Sequence, residues 1–102
     1  MKTYPDGAPA TAVLFRVWDG ELIALFPRIA GDTNDPHTCQ SYQRVGQHGA
    51  ADLRGIMARS RPATPAEYKP LQEELEGRGY VLDIRQRTPS NALAQRRAEL
   101  AQ

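Results

Sequence analysis

The clearest pattern lies in residues 12–27, where two alternating apolar segments flank Asp19 and Gly20. Asp-Gly tolerates the positive φ angles of a two-residue type I′ turn, so the pattern predicts a β-hairpin. The turn also sets the register, with Trp18 opposite Glu21 and Val17 opposite Leu22. One face of the hairpin then carries six apolar side chains, which we assign to the core: Val13, Phe15, Val17, Leu22, Ala24 and Phe26.

The opposite face of this hairpin is too apolar for a sheet face in contact with water. It carries Leu14, Arg16, Trp18, Glu21, Ile23 and Leu25. We expect a cover over it, supplied by the C-terminal segment, by a second copy of the chain or by another protein. The protein-interaction residues predicted from this face are Leu14, Arg16, Trp18, Ile23 and Leu25.

The middle of the chain predicts further elements. Turn-forming residues over 28–37 indicate an exposed loop, and 38–45 is the candidate third strand, ended by Gly46 and Gly49. Apolar residues at helical spacing predict a short helix over 50–59. A second helix is expected over 65–77, because Thr64 and Glu67 form the pattern of a capping box and Gly79 supplies a stop.

The last part of the chain predicts a strand over 80–87 with one wet face, and a final helix over 91–101 capped by Ser90. These elements predict an α+β fold, a small antiparallel sheet of three to four strands with helices on one face, in the order β-β-β-α-α-β-α. We expect a flexible N-terminal segment over 1–11, a single domain over 12–87 and a C-terminal helical tail over 88–102.

Composition narrows the class of protein. A length of 102 residues fits one domain, and 13 basic against 12 acidic residues give a net charge of +1. That balance removes the whole-chain electrostatic argument for nucleic acid or an anionic membrane as partner. The lone Cys39 forms no internal disulfide, and neither a membrane span nor the apolar core of a signal peptide is present. We therefore expect a cytoplasmic protein that does not contact a membrane.

Most of the reactive side chains fall within residues 38–52. The predicted ligand-binding residues are Tyr42, Arg44, Gln47, His48 and Asp52. Near the N-terminus of a helix, such donors suit a small anionic or nucleotide-like ligand. The alternative is a plain strand-to-helix turn, because Gly46 and Gly49 match neither the P-loop nor the dinucleotide fingerprint.

Cys39, with His37 or His48 and Asp52, supplies the residue types of a thiol nucleophile, a base and an orienting group. A strand cysteine is more commonly a small buried residue. A metal site from the same cysteine and histidines lacks a fourth ligand, and the oxygens of residues 32–35 lack the spacing of a calcium loop. We therefore predict no catalytic residue, no metal and no cofactor.

A basic patch is predicted near the C-terminus, where no acidic residue occurs between Ile84 and Glu99. Its candidate nucleic-acid-binding residues are Arg85, Arg87, Arg96 and Arg97. Without interleaved aromatic residues they form no stacking platform, so solvation or pairing with the acidic residues of the preceding helix is the alternative.

Several segments carry a resemblance to a family: Val-Leu-Phe-Arg, Asp-Gly-Glu-Leu-Ile-Ala-Leu-Phe-Pro, Ser-Tyr-Gln-Arg-Val-Gly-Gln-His-Gly-Ala-Ala-Asp, Arg-Pro-Ala-Thr-Pro-Ala-Glu-Tyr and Gly-Tyr. Over roughly residues 12–87 the chain resembles short uncharacterised proteins from bacteria, phages and mobile elements. The resemblance implies a compact cytoplasmic domain and carries over no activity or catalytic residue. It favours an accessory role, such as binding or inhibiting a host defence complex.

The leading hypothesis from the sequence is a small non-enzymatic interaction protein, whose partner is a host protein complex or a second copy of the chain. The apolar outer face of the hairpin is the main reason. The alternative is a small-ligand or nucleic-acid binder that uses Tyr42 to Asp52 and the C-terminal arginines. A cysteine-dependent enzyme is the third hypothesis.

Overall fold

The computed structural model describes residues 3–32, 35–43 and 47–88, except for the side chains of 32, 35–37 and 47. Its elements are β1 (Thr11–Trp18), β2 (Glu21–Asp32), β3 (Asp35–Gln43), β4 (Gln47–Asp52), α1 (Leu53–Arg59), β5 (Ser60–Pro62), α2 (Pro65–Gly77) and β6 (Leu82–Arg85). The sheet order is β4-β3-β2-β1-β5, and β6 pairs with the first half of β1. The fold is therefore α+β, as predicted, with a mainly antiparallel sheet.

The β1–β2 hairpin has the predicted register. Trp18 lies opposite Glu21 and Leu14 lies opposite Leu25. Asp19 and Gly20 have φ angles of 52° and 76°, the left-handed values that a type I′ turn requires. The turn residues and the alternating pattern were thus sufficient to place every side chain of the hairpin on the correct face.

A different helix covers each face of the sheet. On what we call the α2 face, Val13, Phe15 and Phe26 pack with Leu71 and Leu75 of α2. On the α1 face, Leu14, Ile23 and Leu25 pack with Ile56 of α1. The prediction of helices on one face was wrong, because the short helix folds back over the apolar outer face of the hairpin.

The predicted strand number and element order were also wrong. Residues 47–52 form β4, which pairs with β3, and Ser60–Pro62 form the three-residue strand β5. We had expected Gly49 to end a strand and residues 50–52 to begin a helix. Small residues such as Gly49, Ala50 and Ala51 carry little hydrophobic contrast, so periodicity does not separate helix from strand there.

The predicted loop over 28–37 is mostly strand. β2 continues to Asp32, and its pairing with β3 shifts in register between Phe26 and Ala30 and again between Ala30 and Asp32. Gly31 approaches β3 closely, since a Cβ built there would lie 2.6 Å from the Cys39 carbonyl oxygen. The turn-forming composition of this segment therefore reflects an irregular strand pairing and a tight backbone approach.

Helix α2 has the predicted bounds and start. The Thr64 hydroxyl accepts from the Glu67 amide at 3.3 Å, and a Glu67 carboxylate oxygen accepts from the Thr64 amide at 2.9 Å. This reciprocal pair is a complete capping box. Gly79 follows the helix with φ of 101°, the left-handed conformation that favours glycine after a helix.

The two ends of the chain were assigned to a flexible segment and a helical tail. Residues 3–9 form a small turn, and the hydroxyls of Tyr4 and Thr11 lie 2.5 Å apart. Mobility of the first eleven residues stays a prediction. The final helix over 91–101 lies outside the described residues. Within the described part of the chain, no helix is both long and apolar enough to cross a membrane.

Candidate functional site

A groove of about 640 Å³ lies on the α1 face, between α1 and strands β3 and β4. We call it the α1 groove. Its apolar part is formed by Trp18, Ile23 and Ile56, and its polar part includes Gln43, Asp52 and Arg59. The lining is about equally polar and apolar, and the volume falls within the usual range of binding sites.

Of the predicted protein-interaction residues, three are buried under α1 and Trp18 is partly exposed. Leu14, Ile23 and Leu25 are at most 2% exposed because α1 packs on them, so the prediction that these three side chains contact a partner is corrected. Trp18 lies at the end of β1 and is only half-buried. It is the most exposed member of the set, and it lines the α1 groove.

Arg16, also predicted as an interaction residue, holds the end of α1 instead. Its Nε donates to Ser60 Oγ at 2.9 Å, and its Nη2 donates to the carbonyl oxygens of Ser60 and Met57 at 2.6 and 3.3 Å. The C-terminus of a helix carries partial negative charge, which favours a cation there. Burial lowers the pKa of the Arg16 guanidinium from its ordinary value. Arg16 is thus a structural residue that fixes one wall of the α1 groove.

Asp52, a predicted ligand-binding residue, is the N-cap of α1. Its Oδ1 accepts from the Gly55 amide at 3.1 Å. A Cβ built on Gly55 would come within 2.2 Å of the same carboxylate, so the glycine leaves room for this cap. The capping role accounts for both residues, and the second carboxylate oxygen remains able to accept from a ligand.

Tyr42 and His48, also predicted to bind a ligand, are neighbours on the α2 face. Tyr42 is fully buried, its hydroxyl donates to Glu74, and its ring centroid lies 4.7 Å from that of His48. The guanidinium of Arg78 lies 5.4 Å from the Tyr42 ring centroid, a cation–π distance. A fully buried ring is not available for stacking on a ligand, so this prediction for Tyr42 is corrected.

The remaining two predicted ligand-binding residues receive no test. Arg44 lies outside the described residues, and the Gln47 side chain is not described. His48 is exposed and borders the α1 groove at the sheet edge, although its ring contacts Tyr42 on the other face. Of the five predicted residues, His48 and Asp52 therefore adjoin the groove.

Cys39 does not form with His48 the nucleophile arrangement that the third hypothesis requires. The thiol is fully buried against Leu14, Leu25 and the other side chains of the α1 face. The neighbour of His48 across the strands is Tyr42, on the α2 face. Side chains that point to opposite faces of a sheet do not exchange a proton directly. Asp52, the predicted orienting group, is engaged as a helix cap.

The structure describes two of the four predicted nucleic-acid-binding residues. Arg85 is paired with Asp83, with 2.8 Å between Nη2 and Oδ2, which raises the pKa of the guanidinium. Arg87 is exposed. Arg96 and Arg97 lie outside the described residues, so the four arginines are not seen together as one surface.

A second groove, of about 670 Å³, lies on the α2 face and is lined by Glu21, Glu67 and Glu74. Glu67 is neutralised by Arg61, whose Nη1 and Nη2 lie 2.8 and 2.6 Å from its two carboxylate oxygens. The hydrogen bonds from Arg61, and then from the Thr64 amide, lower the pKa of Glu67 to about 2. In the described part of the chain, no three His, Cys, Asp or Glu residues are grouped to hold a metal.

The sequence analysis missed two features of the α1 groove: the packing of α1 on the hairpin, and the polar residues Gln43 and Arg59. The first had a signal, because Leu53, Ile56 and Met57 indicated an amphipathic helix and the apolar hairpin face needed a cover. Matching these two apolar surfaces would have found the cover. Gln43 and Arg59 carried no such signal, because each lies in the groove only through the folding of α1 against the sheet.

Comparison with known proteins found no matching family model, no matching curated protein and no matching solved structure. The resemblance noted in the sequence therefore stays a prediction.

Proposed function

We propose that this chain is a small non-enzymatic interaction protein that binds a partner protein through the α1 groove. The observation that carries the proposal is the half-buried Trp18 in the lining of the α1 groove. Tryptophan is enriched among the residues that dominate binding energy at protein interfaces. Trp18 is also the single tryptophan of the chain.

The surroundings of Trp18 have the composition of an interface centre. Ile23 and Ile56 supply a buried apolar floor, while Asp52 and Arg59 supply charges of both signs at the exposed rim. An apolar centre with a polar rim is the usual organisation of a protein–protein contact. Arg16 fixes the C-terminal end of α1, so the groove is preorganised, which reduces the entropic cost of binding.

The same residues give little support to an enzyme. Cys39 is buried on the face opposite to the His48 ring, and Asp52 is the cap of α1. The partner we favour is a host protein complex in the cytoplasm, because the sequence resembles proteins of phages and mobile elements. That choice rests on the resemblance alone, whereas the surface rests on the groove.

Affinity capture from host lysate tests the proposal. The wild-type chain is compared with Trp18→Ala and Arg59→Glu, which change the groove, and with Ile84→Ala, which removes an exposed apolar side chain from β6, at the other edge of the sheet. We expect a partner that is retained by wild type and Ile84→Ala and lost by both groove variants. Circular dichroism checks that each variant is folded.

Two outcomes would count against the proposed surface. If both groove variants retain every captured protein, the partner binds elsewhere. If no protein is retained by the wild-type chain, the interaction hypothesis loses its support.

A second candidate function is the binding of a small polar ligand in the same groove. It is favoured by the three polar side chains Gln43, Asp52 and Arg59 beside an apolar floor. A thermal-shift screen of anionic metabolites and nucleotides would then give a stabilising compound whose effect disappears in Arg59→Ala. Equal stabilisation of wild type and Arg59→Ala would refute it.

A further inference from the structure

The two edges of the sheet differ in their protection against an added strand. At one edge lie β5, which is three residues long and contains Arg61 and Pro62, and β6, which carries the Asp83–Arg85 pair. Short strands, charges and proline are the usual features that prevent an edge from pairing with another chain. This edge is therefore protected.

The opposite edge is β4, which is longer than β5 and contains no proline; its one acidic residue, Asp52, is also the cap of α1. Its six residues, Gln-His-Gly-Ala-Ala-Asp, include no lysine, arginine or proline. Among the described strands, β4 pairs with β3 alone. His48, Ala50 and Asp52 are exposed along it. An outer strand with small side chains presents backbone donors and acceptors that a second strand can approach closely.

We propose that β4 pairs antiparallel with β4 of a second copy of this chain, so that two sheets join into one. The net charge of +1 opposes association only weakly. The two-fold axis lies at Ala50, which meets its own symmetry mate. This interface shares β4 with the wall of the α1 groove, but it involves neither Trp18 nor another partner.

The register follows from the faces of the sheet and from the side chains at the edge. If the axis is perpendicular to the joined sheet, residues of one face must meet residues of the same face, because side chains alternate along a strand. An axis at Ala50 satisfies this condition. It also sets His48 of one copy opposite Asp52 of the other, twice per dimer. An imidazole and a carboxylate are complementary in hydrogen bonding, and opposite partners across strands interact most strongly.

Neighbouring registers lose this complementarity. Moving the axis to Gly49 sets His48 opposite Ala50, and an axis between Gly49 and Ala50 sets residues of opposite faces against each other. Asp52 retains a carboxylate oxygen for His48 while its Oδ1 caps α1. The second copy is favoured over an unrelated peptide because β4 supplies both members of the pair itself.

Sedimentation equilibrium of the purified full chain tests the proposal. We expect a dimer of twice the 11.3 kDa chain mass. Ala50→Lys brings two like charges together at the axis and should give a monomer. Ala58→Lys adds the same charge at an exposed position of α1 and should leave the dimer intact. A monomeric wild type at millimolar concentration, or a dimeric Ala50→Lys, would overturn the proposal.

Disulfide trapping tests the register and does not depend on the folding of Ala50→Lys. Directly opposite residues in an antiparallel pair have Cβ atoms about 5 Å apart, close to disulfide distance. Ala50→Cys should therefore form a cross-linked dimer on mild oxidation. His48→Cys should not, because the two copies of residue 48 are separated by about 13 Å along the strands. Cross-linking of His48→Cys with none of Ala50→Cys would refute this register.

Different results would refute the dimer and the proposed function. Trp18→Ala should abolish partner capture and leave the dimer unchanged. A loss of the dimer in Trp18→Ala would show that self-association uses the α1 groove instead, and it would contradict the β4 interface.

Discussion

Replacing Arg16 by methionine tests the role of the buried guanidinium most sharply. The change removes three donated hydrogen bonds, to Ser60 Oγ and to the carbonyl oxygens of Ser60 and Met57, while keeping a long side chain. These bonds attach the C-terminal end of α1 to the second half of β1. We therefore expect the helix to loosen from the sheet next to Trp18.

Two opposing terms set the magnitude. A hydrogen bond from a charged donor contributes about 1.5–3 kcal/mol, although the half-exposed Met57 and Ser60 recover part of this by binding water. Removing the guanidinium also removes the free-energy cost of burying its charge, the same desolvation that lowers its pKa. The acceptor oxygens remain in place without their donor, so the lost hydrogen bonds should outweigh the relieved desolvation. We expect the free energy of unfolding to fall by about 2 kcal/mol. For a chain of this size that is a fall of about 10 °C in Tm.

Urea unfolding followed by the fluorescence of the single tryptophan measures the effect, with circular dichroism as the second signal. Arg16→Lys retains the charge without the planar fork and should lie between wild type and Arg16→Met. If Arg16→Met unfolds within about 0.5 kcal/mol of wild type, as a neutral surface change would, then the three bonds do not hold α1.

Three other substitutions give independent checks. Leu25→Ala should cost about 3 kcal/mol in chemical unfolding because the side chain is fully buried, and a value near zero would contradict the cover by α1. Gly31→Ala should destabilise by about 1–3 kcal/mol, since its Cβ would meet the β3 backbone, whereas Gly77→Ala has open space and should be neutral or stabilising. The pKa of Glu67 is lowered from 4.5 to about 2, so its carboxylate stabilises the fold fully above pH 4.5. This stabilisation is lost as the pH falls from 4.5 towards 2. Glu67→Gln should therefore remove that part of the acid dependence, and an unchanged pH profile would refute the Arg61 contact.

The elements with strong local signals were predictable from the sequence. Asp19 and Gly20 gave the hairpin register, and Thr64 with Glu67 gave the start of α2. In both cases the relevant chemistry lies within a few residues, so local geometry determines the outcome.

The strands outside the hairpin were not predictable in the same way. The middle of β4 is Gly-Ala-Ala, and β5 contains Pro62, so neither has the pattern of a strand. Each forms because a longer neighbouring strand supplies a pairing edge. Tertiary context decides such segments, and local propensity does not.

The candidate site was predictable only in outline. The sequence identified an apolar outer face that needed a cover, and it proposed three sources for that cover. The short helix was predicted over residues 50–59, but its role as the cover of this face was missed. The separation of Cys39 from His48 depends on the sheet face on which each side chain lies. The face of His48 could not be predicted, because residues 47–52 were not recognised as a strand.

Site-specific photo-cross-linking in host cells tests the central claim, that a partner protein occupies the α1 groove. A photoreactive phenylalanine derivative replaces Gln43, which lines the groove, or Glu73 on the exposed side of α2. We predict a covalent adduct with one partner protein from position 43, absent from position 73 and lost when Trp18→Ala is added. Equal adducts from both positions, or none from position 43, would contradict the account.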